Sequence, residues 1–157
     1  MTTDLTRLVL YACLGATLAA HPDRRIVDRV TIGDARSEQE HAFAGDGVVT
    51  GIVDGRAYRQ AHGWMRVALA VFDDTEVTVA CTFAGMGDVS PAFDLYVENQ
   101  RVGSFTSRPT SAASATVEMR VPIEVTRGRT NIQVLLRATS GLTPALLELR
   151  TVQDHNE

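Results

Sequence analysis

The chain has 157 residues, 15 basic and 19 acidic for a formal charge of −4, and 45% hydrophobic residues, which is enough for one packed domain and excludes a disordered or membrane-dominated polypeptide. The acidic balance removes the electrostatic footprint of sequence-independent phosphate binding and excludes nucleic acid as a partner. All 15 basic residues are arginine; without lysine there is no Schiff-base chemistry, no Walker-type phosphate lysine and no lysine general base.

The first element is a thirteen-residue apolar run at 8–20, LVLYACLGATLAA, behind Arg7 and ending in small residues. It is too short for a transmembrane helix, which needs about 20 apolar residues. Residues 1–22 read either as a secretory signal or as an apolar helix, docked on a partner surface or buried, capped by Thr3 or Asp4 and ended by His21-Pro22. The signal reading makes the protein extracytoplasmic, the helix reading cytoplasmic.

After Pro22 the apolar period becomes two. Alternation and β-rich composition predict strands at 25–32, 40–43, 64–72, 76–83, 93–98, 101–105, 115–121, 131–138 and 145–152, separated by Gly- and Asp-rich turns. Short strands at this spacing read as an all-β, antiparallel two-sheet β-sandwich over 23–153 with a polar tail at 154–157. Val77, Val79, Cys81 and Phe83 point one way; Phe93, Leu95 and Val97 repeat the pattern before a hairpin at Asn99-Gln100; Ile132, Val134 and Leu136 face in. The expected core is Val79, Phe83, Leu95, Val97, Val134 and Leu136.

Catalytic patterns are absent from the sequence. His21, His41, His62 and His155 accompany no GxSxG elbow, and Cys13 and Cys81 form no CxxC; Cys81 packs as a small hydrophobe. Read as a polar edge strand, the stretch at 38–41 puts Glu38 and Glu40 on one face and His41 on the other, so no metal is expected and no clear ligand cluster supports Ca²⁺. The segment at 56–64 concentrates two guanidiniums, two aromatics and an imidazole. Its groups suit a sugar platform, in which aromatic faces stack on the ring and arginine forks bind paired hydroxyls; alternatively Trp64 anchors the core and Arg59 pairs a carboxylate such as Glu40.

The order Asp28-Arg29-Val30, Gly33-Asp34, Ser37-Glu38-Gln39-Glu40-His41, Thr50-Gly51, Tyr58-Arg59-Gln60-Ala61 and Gly63-Trp64-Met65 resembles the C-terminal β-sandwich of glycoside hydrolases in families 127 and 146, which act on β-L-arabinofuranosides. Phe93-Asp94-Leu95-Tyr96-Val97, Val102, Val121-Pro122-Ile123, Thr126-Arg127-Gly128-Arg129 and Ile132-Gln133-Val134 extend the likeness over roughly 26–152. The resemblance implies a galactose-binding-like jelly-roll acting as a non-catalytic, substrate-binding accessory domain for arabinose-containing glycans. Its partner would be a glycan or a separate catalytic barrel; the alternative is a structural domain that braces such a barrel without touching sugar. No catalytic residue and no cofactor carries over, since Cys13 and Cys81 match no part of the barrel's site. The candidate ligand-binding residues are Glu38, Glu40, His41, Tyr58, Arg59 and Trp64. The sequence departs from the family at Met65, where an aromatic is expected, and at Glu98-Asn99-Gln100, where an Asp-Gly turn is usual.

Overall fold

The computed structural model describes residues 24–72, 75–85, 91–106 and 112–154; the apolar segment expected at 1–22 and the tail beyond Asp154 lie outside them. Among the described residues, nine strands and two short helices follow in the order β1 (Arg24–Thr31), α1 (Ala35–Glu40), β2 (Ala44–Val53), β3 (Arg56–Ala70), β4 (Val77–Ala84), β5 (Ala92–Val97), β6 (Gln100–Thr106), β7 (Ser114–Val121), α2 (Ile123–Thr126), β8 (Asn131–Ser140) and β9 (Leu146–Asp154). All pairings are antiparallel, in two layers ordered β2-β3-β8-β5-β6 and β1-β9-β4-β7. One bridge between Arg59 and Leu146 links them. This is the all-β antiparallel sandwich that the alternation predicts, of the jelly-roll type that the resemblance implies. Arg24 and Asp154, the outermost partners of β1 and β9, lie side by side.

The period of two builds the core directly. Val79, Phe83, Leu95, Val97, Val134 and Leu136 are each at most 3% exposed, and they interlock with Met65, Val67 and Leu69 of β3 and Val77 of β4. The rings of Phe83, Phe93 and Phe105 run through the interior with successive centroids 5.3 and 5.7 Å apart, in the tilted geometry that aromatic quadrupoles favour. Cys81 is fully buried, and burial pushes its thiol up to about 12, which makes it an inert packing group. Met65 is also core, so the missing aromatic there is an interior substitution and removes nothing from a surface platform.

Three sequence expectations are corrected. The strand expected at 40–43 is instead the end of helix α1 and its cap, so Glu38, Glu40 and His41 do not alternate across a sheet. Strand β2 occupies a stretch read as turns, because Gly45, Gly47 and Gly51 dilute its β signal and its pairing with β3 decides the outcome. The β5–β6 hairpin turns at Glu98-Asn99, one residue earlier than expected; both adopt positive φ (49° and 65°), which suits a two-residue turn between twisted strands. Glu98 also accepts the Gln133 N–H at 2.7 Å and meets Arg129 at 3.2 Å.

Strand β3 outruns its neighbour. Pairing with β2 ends at Arg66, while β3 continues to Ala70, leaving main-chain groups on that edge that burial would orphan. The His41 carbonyl accepts the Ala68 N–H at 2.8 Å. Asp28 of β1 accepts the Ala70 N–H at 2.7 Å, and the Thr151 hydroxyl of β9 donates to the Ala70 carbonyl at 2.7 Å. Past the strand end, the buried Gln153 amide clamps Phe72, accepting its N–H at 2.7 Å and donating to its carbonyl at 2.9 Å. Side chains of one sheet thus complete the hydrogen bonding of the other.

Leu95 is completely buried and both sheets pack around it. Leu95→Ala should therefore cost about 2–5 kcal/mol, read as a lower urea midpoint at unchanged slope; a loss under 1 kcal/mol would contradict this core.

Candidate functional site

Three of the residues that the sequence nominates, Glu38, His41 and Arg59, meet where α1 packs on the start of β3. Asp34 caps the helix by accepting the Ser37 N–H at 2.8 Å, and the Ser37 hydroxyl accepts the Thr31 N–H at 2.9 Å. Glu38 points back: Oε1 accepts the Gly33 N–H at 2.8 Å and the Arg59 Nε at 3.0 Å, while Oε2 accepts Arg59 Nη2 at 2.9 Å. This fork pairing places a fixed guanidinium on a carboxylate that is 12% exposed. Gly33 has φ +83°, and a Cβ there would lie 2.1 Å from Ala57 Cβ, so α1 docks on β3 only with glycine at that position.

His41 closes the other end. Its Nδ1 faces the Ser37 carbonyl at 2.7 Å and its Nε2 faces Asp28 Oδ1 at 3.1 Å. Both partners are acceptors, so the site selects the doubly protonated imidazolium. Burial pulls the His41 pKa down, but the bonds to Ser37 and Asp28 outweigh it and raise the value above 6.5. For Asp28, burial acts upward and is overcome by hydrogen bonds from Ala70, His41 and Arg29, leaving it below 3.8.

The other nominated residues are apart from this knot. Glu40 is exposed and pairs with Arg36 at 2.8 Å. Tyr58 packs with Val53 on Ala84, Ala145 and Leu147, its ring over its register partner Gly51, where a Cβ would fall 2.2 Å from the ring. Arg59 pairs Glu38 rather than Glu40. Trp64 is half-buried and outside the core cluster; it points away from Met65, onto the outer face of the sheet.

That face carries residues that sequence reasoning missed. In register across the sheet run Asp46, Trp64, Arg137, Asp94 and Ser104, and beside them Ala44, Arg66, Leu135, Tyr96 and Arg101. The Arg66 guanidinium lies over Trp64 at 5.5 Å and that of Arg137 over Tyr96 at 5.2 Å. Asp94 stands opposite Arg137 but is engaged by Ser104 and by Arg101 at 3.5 Å. Among the described residues Arg66 and Arg137 hold no ion pair, leaving two rings and two uncommitted guanidiniums on one face of an acidic protein. The alternation at 93–97 and 131–138 made Tyr96 and Arg137 legible as outward residues; that they share a face with Trp64 depends on strand order. No three His, Cys, Asp or Glu side chains among the described residues converge to hold a metal ion, none of the described helices is long and apolar enough to cross a membrane, and the described strands form no catalytic barrel.

A family model described as a family of unknown function, DUF6805, matches residues 22–152. No curated protein matches the sequence. Among solved structures, a family 35 carbohydrate-binding module from an environmental isolate superposes with a TM-score of 0.61 at 12% identity, covering 82% of this chain and 98% of its own. A family 115 4-O-methyl-α-glucuronidase gives 0.59 at 12% identity, with 98% of this chain laid on 20% of the enzyme. A family 35 module solved with a glucuronic-acid-containing disaccharide gives 0.50 at 15% identity, covering 82% of this chain and 98% of that one. What this chain shares with them is the β-sandwich fold.

The pH response of stability follows from the Asp28–His41 pair. His41, raised in the folded state, contributes fully below its unfolded value near 6.5 and loses that contribution as pH rises through the folded value; Asp28, lowered, contributes fully above 3.8 and loses it as pH falls. Melting temperature should therefore be highest between those limits and decline on the alkaline side, and His41→Gln should flatten the alkaline decline. A wild-type profile without it would contradict the paired imidazolium. Arg59→Ala, which strands the Glu38 carboxylate, should cost about 1–3 kcal/mol in denaturant titration; an unchanged midpoint would show that the pair carries no stability.

Proposed function

The chain belongs to the DUF6805 family of unknown function, and from that starting point we propose that it is a non-catalytic carbohydrate-binding module whose ligand lies on the outer face of β3, β8 and β5. The observation that carries this reading is the gathering of Trp64, Tyr96, Arg66 and Arg137 on one sheet face, with both guanidiniums free of carboxylates. Aromatic rings offer stacking surface to the apolar face of a sugar, and arginine forks bind paired hydroxyls or a uronate carboxylate. Each guanidinium is held over its ring by about 0.5–1 kcal/mol, a small cost for a sugar to displace. With strands about 4.8 Å apart, Trp64 and Tyr96 are separated by about 12 Å from Cα to Cα, so an oligosaccharide rather than a single ring touches both.

Two glycan classes stand first. The resemblance to the accessory sandwiches of families 127 and 146 supports arabinose-containing chains. The uncommitted guanidiniums support uronate-decorated ones; of the structural neighbours, one was solved with a glucuronic-acid-containing disaccharide and the glucuronidase is described with specificity for decorated arabinogalactans. Within the nominated set, Trp64 is retained as a ligand contact, while Glu38, His41 and Arg59 hold the architecture, Tyr58 packs, and Glu40 stays on the solvent side of α1.

A second reading, a structural domain that braces a catalytic partner and touches no sugar, has one observation in its favour. Among the described residues strand β2 pairs only with β3, and it exposes Val48, Val49 and Ile52, the last 77% exposed, an apolar edge that commonly marks a docking surface.

A glycan array followed by calorimetric titration decides between them. Wild type should bind an arabinose- or uronate-containing oligosaccharide with a Kd between about millimolar and tens of micromolar, without hydrolysing it. Trp64→Ala and Tyr96→Ala should each weaken binding at least tenfold at unchanged melting temperature. Neutral chains should bind almost independently of salt, and uronate-bearing ones should weaken as salt rises. No binding by the wild type to any glycan would leave the bracing role.

A further inference from the structure

The opposite sheet carries a second concavity. On the outer face of β1-β9-β4-β7 a cleft of about 370 Å³ opens, its floor formed by Thr78 and Val152, which are register partners on the two central strands. Arg24 and Glu118 come from the two outermost strands, β1 and β7, and meet at 3.0 Å, so their ion pair bridges the width of the sheet. Both side chains are more than 40% exposed, which makes the bridge a weak strap that a ligand can open. The remaining charged groups of the cleft, Glu76, Arg120 and Asp154, hold no ion pair among the described residues.

The chemistry of these groups narrows the ligand. An anion would satisfy Arg120 and meet Glu76 and Asp154 as repulsion; an organic cation would do the reverse. A metal ion is not favoured, because the three carboxylates of the cleft do not converge into a ligand set. No aromatic ring lines the cleft, so stacking does not drive binding. A sugar hydroxyl both donates and accepts, so a polyhydroxylated ligand satisfies the guanidinium and the carboxylates together. The volume is at the small end of ligand clefts and suits about one or two sugar rings.

We propose that this cleft is a second glycan site, separate from the Trp64–Tyr96 face, which takes a neutral stretch of oligosaccharide by hydrogen bonds from Arg120 and to Glu76 and Asp154. The two sites open on opposite outer faces of the sandwich, and the module is bivalent. The inference rests on the reading of the domain as a glycan-binding module.

The test titrates neutral arabino-oligosaccharides, with xylo-oligosaccharides as a second probe, into the full chain while amide NMR signals are followed. Four proteins are compared: wild type, the Trp64→Ala/Tyr96→Ala double variant, Thr78→Trp, which fills the floor at an outward strand position, and Arg120→Ala, which removes the guanidinium without adding bulk. Melting temperatures verify that each is folded. The expected result is that the double variant still binds and shifts the Thr78 and Arg120 signals, that Thr78→Trp removes this binding and lowers the wild-type stoichiometry from two to one, and that Arg120→Ala weakens it at least tenfold. If wild type binds but the double variant binds nothing and the cleft signals stay still, the cleft is not a site and the Trp64–Tyr96 face stands alone. Tighter binding in the cleft of glucuronate or of a simple amine than of the neutral chains would overturn the ligand class. Absence of any glycan binding by wild type would overturn both sites.

Discussion

A buried main-chain group without a partner costs about 1–3 kcal/mol, and the end of β3 is where this chain meets that constraint. The strand is fifteen residues long and its neighbour β2 is ten, so the last part of β3 runs on without a strand on one side. The fold answers with side chains: Asp28, Thr151 and Gln153 stand in for the missing strand at Ala70 and Phe72. Because Asp28 and Thr151 are also register partners on β1 and β9, the requirement that their oxygens reach Ala70 fixes how the two sheets lie on one another. His41 is drawn into the same arrangement through Asp28, and α1 follows, since a helix of six residues has little stability of its own.

The alternation of β4, β5, β8 and β9 was legible because one face of each is buried, and burial imprints a period of two on the sequence. Two elements were not. Strand β2 has three glycines among ten residues, and its identity comes from long-range pairing that no local window contains. Helix α1 is shorter than two turns, too short to display a helical period, although Asp34 was a readable N-cap residue. For the candidate site the limits were different. The groups at 28–41 and at 59 form a connected pattern in sequence, and the structure shows them connected to each other: Asp28, Gly33, Asp34, Ser37, Glu38, His41 and Arg59 share one hydrogen-bonded knot. A motif made of polar residues looked like binding chemistry because polar residues that order a short helix and polar residues that order a ligand are the same types. Tyr96 and Arg137, by contrast, are ordinary outward residues until the strand order β3-β8-β5 is known.

The outer faces of the sandwich differ in kind. One combines rings and guanidiniums on a surface built across five strands; the other is concave, ringless and lined by both charge signs. Both avoid the polar knot at α1, whose hydrogen-bonding capacity is spent internally. The division follows from topology: the core consumes the inward residue of each pair along the strands, so whatever recognises another molecule on the sheets is drawn from the outward residue, and strand order sets which of these become neighbours.

The adjacency of Arg24 and Asp154 sets the mechanical character of the domain. A load applied through these two points pulls on the end of the β1–β9 ladder and opens it one hydrogen-bonded pair after another, as a zipper, instead of shearing all pairs together. The sandwich is therefore soft along this direction, however well its interior resists heat or denaturant. The same geometry brings entry and exit to one place, so the fold can hang from a loop of a larger chain without displacing the segments on either side.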